Sequence, residues 1–251
     1  MTKTCKNCTQ HFKGNFCNTC GQSADTHEIN THFLWHDIQH GLLHFDNGIF
    51  YTIKQLFTRP GHTIREFIDG KRIRHFKPLS LVIILATIYG LLIHNFNVEF
   101  VPELQRSRSA QEINFYEEIK DWISGHYSWA TLIFLPFYAF GSFVVYKKQH
   151  RNFIEHLVLN AFLAGQRLVL HIITFPLLYI YKDTSNLSIT TGILTLLDFV
   201  LLFWGYSQFF NKISKPKNFL LTLLTFLIFT ISLIIIGILV GASVALLITK
   251  K

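Results

Sequence analysis

Long apolar runs alternate with short polar bridges along this chain, and the runs predict its architecture. Residues 79–96, LSLVIILATIYGLLIHNF, form the first run, and 129–146, WATLIFLPFYAFGSFVVY, the second. The third lies within 153–181 and is read as a span over about 155–181; the fourth covers 189–210 and the fifth 219–248. A helix over 79–96 reaches about 27 Å, close to the roughly 30 Å hydrocarbon core of a bilayer. The fifth run is too long to cross upright and too short for two spans, so it should tilt or project. Pro78 marks the start of the first span, Pro136 is placed to kink the second, and Trp129 and Tyr146 read as interfacial anchors. The pattern predicts an all-α membrane protein with five transmembrane helices.

A different periodicity precedes the first span. Leu34, Ile38, Leu42, Phe45, Ile49, Ile53 and Leu56 follow at steps of three or four, one helical stripe that Asn47-Gly48 divides. Arg59-Pro60-Gly61 breaks it. HTIREFIDG then reads as a short helix capped by Gly70, and KRIRHFKP leads into the span. Residues 25–77 are therefore expected to form N-terminal interfacial amphipathic helices with a basic collar. Arg65, Lys71, Arg72, Arg74 and Lys77 are the residues expected to hold anionic lipid headgroups. The alternative is that the stripe packs on the protein's own spans.

Charge sharpens this picture. Only 15% of residues are charged, against about 25% in a soluble domain, so lipid is the simplest solvent for the apolar segments. The net charge of +8 lies in short clusters beside apolar runs, without the stacking aromatics a nucleic-acid surface needs, so no nucleic-acid partner is expected. With the N-terminus inside, sixteen Lys/Arg fall on the inner side and six on the outer. The outer loop, 97–128, is acidic, and QEINFYEEIKDWI within it reads as an amphipathic helix. The first residues carry no apolar run, so no cleavable secretory signal is expected.

All four cysteines sit in a head over 1–24. Cys5, Cys8, Cys17 and Cys20 form CxxC-x8-CxxC, the spacing of two knuckles that present four thiolates to one structural Zn2+. Lys13-Gly14-Asn15 supplies the turn between them, and Phe12 and Phe16 should cover one side. So short a segment cannot build a core, and metal binding would supply its folding energy. Two disulfides or two redox pairs are the alternatives; redox pairs normally open a helix after a strand, a pattern missing here. Thiolates persist in a reducing compartment, which places the head in the cytosol, as the charges do. The expected location is the bacterial inner membrane, multi-pass, with the C-terminus outside.

Some polar residues fall where lipid should be. Arg167 lies near the centre of span three and Asp198 near the centre of span four. A charge there costs about 2.5–3.5 kcal/mol to insert, so the two are expected to pair inside the bundle. Such a pair fixes helix register or lines a substrate or proton path; a break at Gly165-Gln166-Arg167 is the other reading. His32, His36, His40 and His44 step by four, a polar helix face or a partial metal site. No catalytic set is assigned; Glu155, His156 and His171 are the candidates, Glu155 and His156 for proton transfer and His171 for lining a path or completing a metal site. Gly237 and Gly241, with Ala245, form a small-residue face suited to packing or homo-oligomerisation.

The cysteine head followed by FDNGIFYTIKQLFTRPGHTIREFIDGKRIRHFKPLSLVII resembles an uncharacterised bacterial membrane family, the domain of unknown function 3667. The likeness runs from the cysteines to about residue 85, with NFIEHLVLNAF at 152–162, and is most specific at Arg59-Pro60-Gly61 and Gly70-Lys71-Arg72. It implies the architecture and brings no reaction. The layout is also similar to five-span Yip1-type proteins. The spans over 78–251 carry no recognisable catalytic set. The first expectation is therefore a membrane scaffold or adaptor with a protein partner at the zinc head. The alternatives are a transporter or channel-like protein using Arg167 and Asp198, and a membrane enzyme on lipid-linked substrates using Glu155 and His156.

Overall fold

The computed structural model describes residues 2–24, 26, 29–30, 48–96, 98, 121–122 and 125–249, with side-chain surroundings as far as 238. Two short antiparallel strands, β1 (Lys3–Thr4) and β2 (His11–Phe12), pair Lys3 with Phe12 and Thr4 with His11. Two nine-residue helices follow, α1 (Gly48–Leu56) and α2 (Pro60–Ile68). Five longer helices make the bundle: α3 (Pro78–Phe96), α4 (Tyr127–Val145), α5 (Phe153–Tyr181), α6 (Asn186–Phe209) and α7 (Lys215–Thr249). These five are long and apolar enough to cross a membrane, as the run pattern predicts. The stripe residues 34–45, the four-step histidine series and most of the acidic loop lie outside the described residues.

Each start and stop has a local cause. Pro60 opens α2 at a position where its missing N–H is not needed. Asn152 caps α5 in a reciprocal capping box with Glu155: the Asn152 side chain accepts from the Glu155 amide, and the Glu155 carboxylate accepts from the Asn152 amide, each at 2.8 Å. Gly70 follows α2 at φ +106°, a conformation that favours glycine. Pro136 and Pro176 sit inside α4 and α5 without ending them. The helix α5 also runs unbroken through Gly165-Gln166-Arg167, so there is no break at that point.

The core forms around α5, whose buried face runs from His156 to Leu168 and packs against α3, α4 and α6. Close helix approach uses glycine: a Cβ at Gly205 on α6 would run into the Leu163 side chain of α5. Outward-facing Ile173, Ile180, Ile189, Leu196, Leu220 and Ile238 are all exposed. Large apolar residues ringing a bundle in this way are covered by lipid. Trp129 faces outward as an anchor should, but Tyr146 is 1% exposed and bonded inside the core, so it is not an interfacial residue.

Helices α1 and α2 lie under the bundle at the end from which α3, α5 and α7 start, here called the head side. Ile49 and Leu56 of α1 and Ile64, Phe67 and Ile68 of α2 join the bundle's core cluster, and the Phe67 ring meets Phe162 of α5 edge-on at 5.1 Å. The described part of the stripe therefore packs on the protein's own spans, while Phe50 and Lys54 on the other face of α1 are exposed.

Candidate functional site

The head is built from one backbone pattern used twice. The Cys5 amide donates to Gln10 O and the Thr9 amide to Cys5 O; the Cys17 amide donates to Gln22 O and the Gly21 amide to Cys17 O. Thr9 and Gly21 occupy equivalent positions, both at positive φ (63° and 76°). The two knuckles bring the four Sγ atoms within 4.8 Å of one another, with Cys5–Cys20 and Cys8–Cys17 at 3.5 Å. None is disulfide-bonded. Thiolates about 2.3 Å from a tetrahedral ion stand roughly 3.8 Å apart, so the set is compatible with one metal ion. The Gln22 backbone amide, with the Asn7 side chain, lowers Cys20 to about 6. Phe12 is buried against the cluster as expected. Phe16 is not: it is 64% exposed and covers nothing.

The head is clamped to the collar rather than hanging free. Gln22 is 3% exposed; its side-chain amide donates to Gly70 O at 2.8 Å, and its oxygen accepts from the Arg72 amide at 3.1 Å. Lys6 donates to Thr26 O at 2.9 Å beside Gly70, where a Cβ would strike the Lys6 side chain. Further along, Asn152 holds Ile29 O at 3.0 Å, and Ile29 is buried in the bundle core.

Several collar cations have internal partners. Arg65 donates from one nitrogen to Gln208 O and, at 2.8 Å, to Phe209 O, neutralising the carbonyl end of α6. Gly61 makes room for that docking, since a side chain there would overlap the Gln208–Phe209 backbone. Lys71 and Arg59 both reach Glu66, at 3.4 and 3.0 Å. Arg72 donates to Phe67 O and stacks over the Phe67 ring. Arg74 is exposed and Lys77 half-buried. Arg151 bridges Asp69 and Glu155, so the Glu155 carboxylate is engaged at the start of α5.

Among the described residues, two polar clusters lie inside the bundle. The first joins α4, α5, α6 and α7 toward the head side. Ser142 Oγ lies 2.9 Å from His156 Nδ1 and accepts from the Asn160 amide at 2.9 Å; Tyr206 donates to Asn160 Oδ1 at 2.7 Å. Asn218 continues the chain, donating to Tyr206 O and accepting from Tyr146. His156, Ser142 and Asn160 are buried, with Phe143 and Phe210 packed against the imidazole. Only His156 Nε2 among these side-chain atoms has no partner.

The second cluster lines a cavity of about 180 Å³ between α4, α5, α6 and α7. Arg167, His171 and Asp198 converge there with Tyr127, Thr131 and Tyr138. The expected direct contact between Arg167 and Asp198 is not the one made. His171 Nε2 meets both Asp198 oxygens, at 3.1 and 3.0 Å, while Arg167 donates to Tyr138 at 3.2 Å and lies over its ring at 4.8 Å. The two helices stack so that Asp198 faces position 171, one turn beyond 167, and the imidazole takes it. Arg167 Nε is buried without a partner. His156 belongs to the other cluster and does not reach this cavity.

The remaining small-residue face is only partly described: Gly237 meets nothing within 4 Å, and the surroundings of Gly241 and Ala245 lie outside the described residues.

Residues 46–90 match the model of a family described as a protein of unknown function, DUF3667. No curated protein and no solved structure matches the chain. The DUF3667 segment covers α1, α2, the collar and most of α3. It contains the docking residues just described, namely Gly61, Arg65 and Gly70, and leaves almost the whole cavity outside it. The match therefore bears on how the head-side layer is built. The Yip1-type likeness has no match behind it.

Sequence reasoning found Arg167, Asp198 and His171 from their charge in apolar runs. The same rule applied to neutral amides would have marked Asn160, Gln166 and Asn218, which organise the head side. Tyr127 and Tyr138 carried no signal, because a tyrosine in a span reads equally as filler or anchor.

Proposed function

We propose that this chain is an integral membrane protein whose bundle holds a ligand-binding cavity, on a transport or channel-like plan, with the head and collar as its structural base. The convergence of Arg167, His171 and Asp198 on one cavity carries the reading. Keeping three ionisable groups at membrane depth costs stability, and an interior serving packing alone would be filled. The base binds one structural Zn2+ through Cys5, Cys8, Cys17 and Cys20. It faces the cytosol of a bacterial inner membrane, supported by the Lys/Arg excess on the head side and by the need of thiolates for a reducing compartment. Arg74 and Lys77, with Lys71 and Arg72, face anionic headgroups there.

Cysteine accessibility tests this. In Thr131→Cys protein, a water-soluble maleimide should label the introduced thiol, and adding Ala164→Leu, which fills the cavity, should block it. The unsubstituted protein supplies the background from the head. A Thr131→Cys thiol that stays unlabelled in folded protein rejects a ligand-accessible cavity. Elemental mass spectrometry should find one zinc per chain, lost in Cys17→Ser.

The scaffold reading keeps one specific support, the exposed Phe16 on the head. A partner docking there would be lost from pull-downs by Phe16→Asp with zinc retained. The enzyme reading has less support, because Glu155 is held by Arg151 and its own helix cap, and His156 is buried against Ser142 and two aromatic rings.

A further inference from the structure

Accepting the cavity as a binding site, its charges define what it takes. Arg167 brings one permanent positive charge, and Asp198 one negative charge already engaged by His171. Because a carboxylate only accepts, Nε2 of His171 carries the hydrogen in that contact, which leaves Nδ1 as the basic nitrogen. The groups facing this imidazole are Tyr89 from α3, Tyr127 and Tyr138 from α4, Arg167 on its own helix and Asp198 from α6; α7 contributes Phe229 and no titratable group. With His171 neutral, the cavity sums to zero. The guanidinium nonetheless carries five donors against one side-chain partner, Tyr138, so an anion is the ligand it lacks.

We propose that the cavity binds a small monovalent oxyanion together with one proton, the anion on Arg167 and the proton on His171 Nδ1. An anion alone would leave a net negative charge in a low-dielectric interior, where uncompensated charge is costly. The paired uptake keeps the sum at zero: Arg167 and protonated His171 balance Asp198 and the anion. A second negative charge would not be balanced, so dianions are excluded. The volume, about 180 Å³, is large enough for a short carboxylate.

The test uses the full chain in nanodiscs, in gluconate buffer, with lactate, glycerol and malonate as probes. Lactate and glycerol match in size and differ in charge; malonate is divalent. Calorimetry at pH 8 in two buffers of different protonation enthalpy should show lactate binding with about one proton taken up, and no binding of glycerol or malonate. Lactate affinity should rise about tenfold per pH unit as pH falls from 8. Arg167→Gln should lose at least about tenfold at every pH. Asp198→Asn should do the opposite: with its negative charge gone, the cavity accepts lactate unprotonated, so binding at pH 8 tightens and the pH slope disappears. A merely structural Asp198 would show no such gain.

Lactate binding without proton uptake overturns the proposal, as does glycerol binding equally well or absence of lactate binding in folded protein. The wild-type proton count decides even if a variant misfolds. Lactate binding lost in discs of anionic phospholipid but kept in zwitterionic ones assigns the oxyanion to a lipid headgroup. Thr131→Cys labelling with no lactate binding removes the anion assignment and leaves the cavity reading standing; loss of that labelling removes both.

Discussion

The two polar clusters of the bundle lie on the same helices and have opposite characters. Around Asn160, neutral buried groups bond one another at 2.7–2.9 Å and leave His156 Nε2 unmet. Around Arg167, charged groups face open space, with one buried donor unmet. A neutral network with most of its bonds closed stabilises and fixes the packing of four helices, while a charged one beside a cavity is costly to fold and available to a ligand. Structural and functional polarity are thus distinguished by charge and by the open space beside it, more than by depth in the membrane.

Substitutions on each side should separate the two. Asn160→Leu breaks bonds to Ser142, Tyr206 and His156 O at once, and should cost about 3 kcal/mol or more. Its thermal midpoint in detergent falls, and lactate binding per folded molecule is kept.

Acid should expose a similar dependence at His75, whose half-buried ring lies between Tyr51 and Phe67. Burial lowers it from 6.5 to about 4. The neutral ring is the form the fold prefers, so its contribution is complete above pH 6.5. It is lost as pH falls towards 4, a change on the order of 3 kcal/mol. Chemical denaturation across that range should show the loss, and His75→Phe should flatten it.

Arg65→Ala strips the carbonyl end of α6 of its cation and should cost about 1–2 kcal/mol by the same assay, without touching the cavity. Gln22→Ala should cost the whole fold little, about 1 kcal/mol, while raising proteolysis between the head and α1 severalfold.

The smallest change in stability is expected at Arg167→Met, within about 1 kcal/mol, since an apolar group replaces a buried charge with one side-chain partner, Tyr138, and a proton on His171 then balances Asp198. A loss there as large as that of Asn160→Leu would erase the contrast between the clusters.

Much of this was legible in the sequence. Run lengths located the five spans within a few residues, because the bilayer fixes how long an apolar helix must be. Cysteine spacing located the head, because knuckle geometry is local. Gly70 was readable as a cap for the same reason. Pairings between helices were not readable: choosing His171 over Arg167 for Asp198 depends on the rotation of α5 against α6, which no periodicity encodes. The clamp by Gln22 was invisible too, since a glutamine beyond a metal knuckle looks like solvent-facing surface until the Gly70 turn is placed beside it.

Gln166, the residue next to Arg167, donates to Leu56 O at the end of α1. The two side chains ride on one rigid turn of α5, so a twist that re-aims the guanidinium must also tug on the layer beneath. A spin label or fluorophore on that outer layer would therefore register occupancy of the bundle interior from a distance.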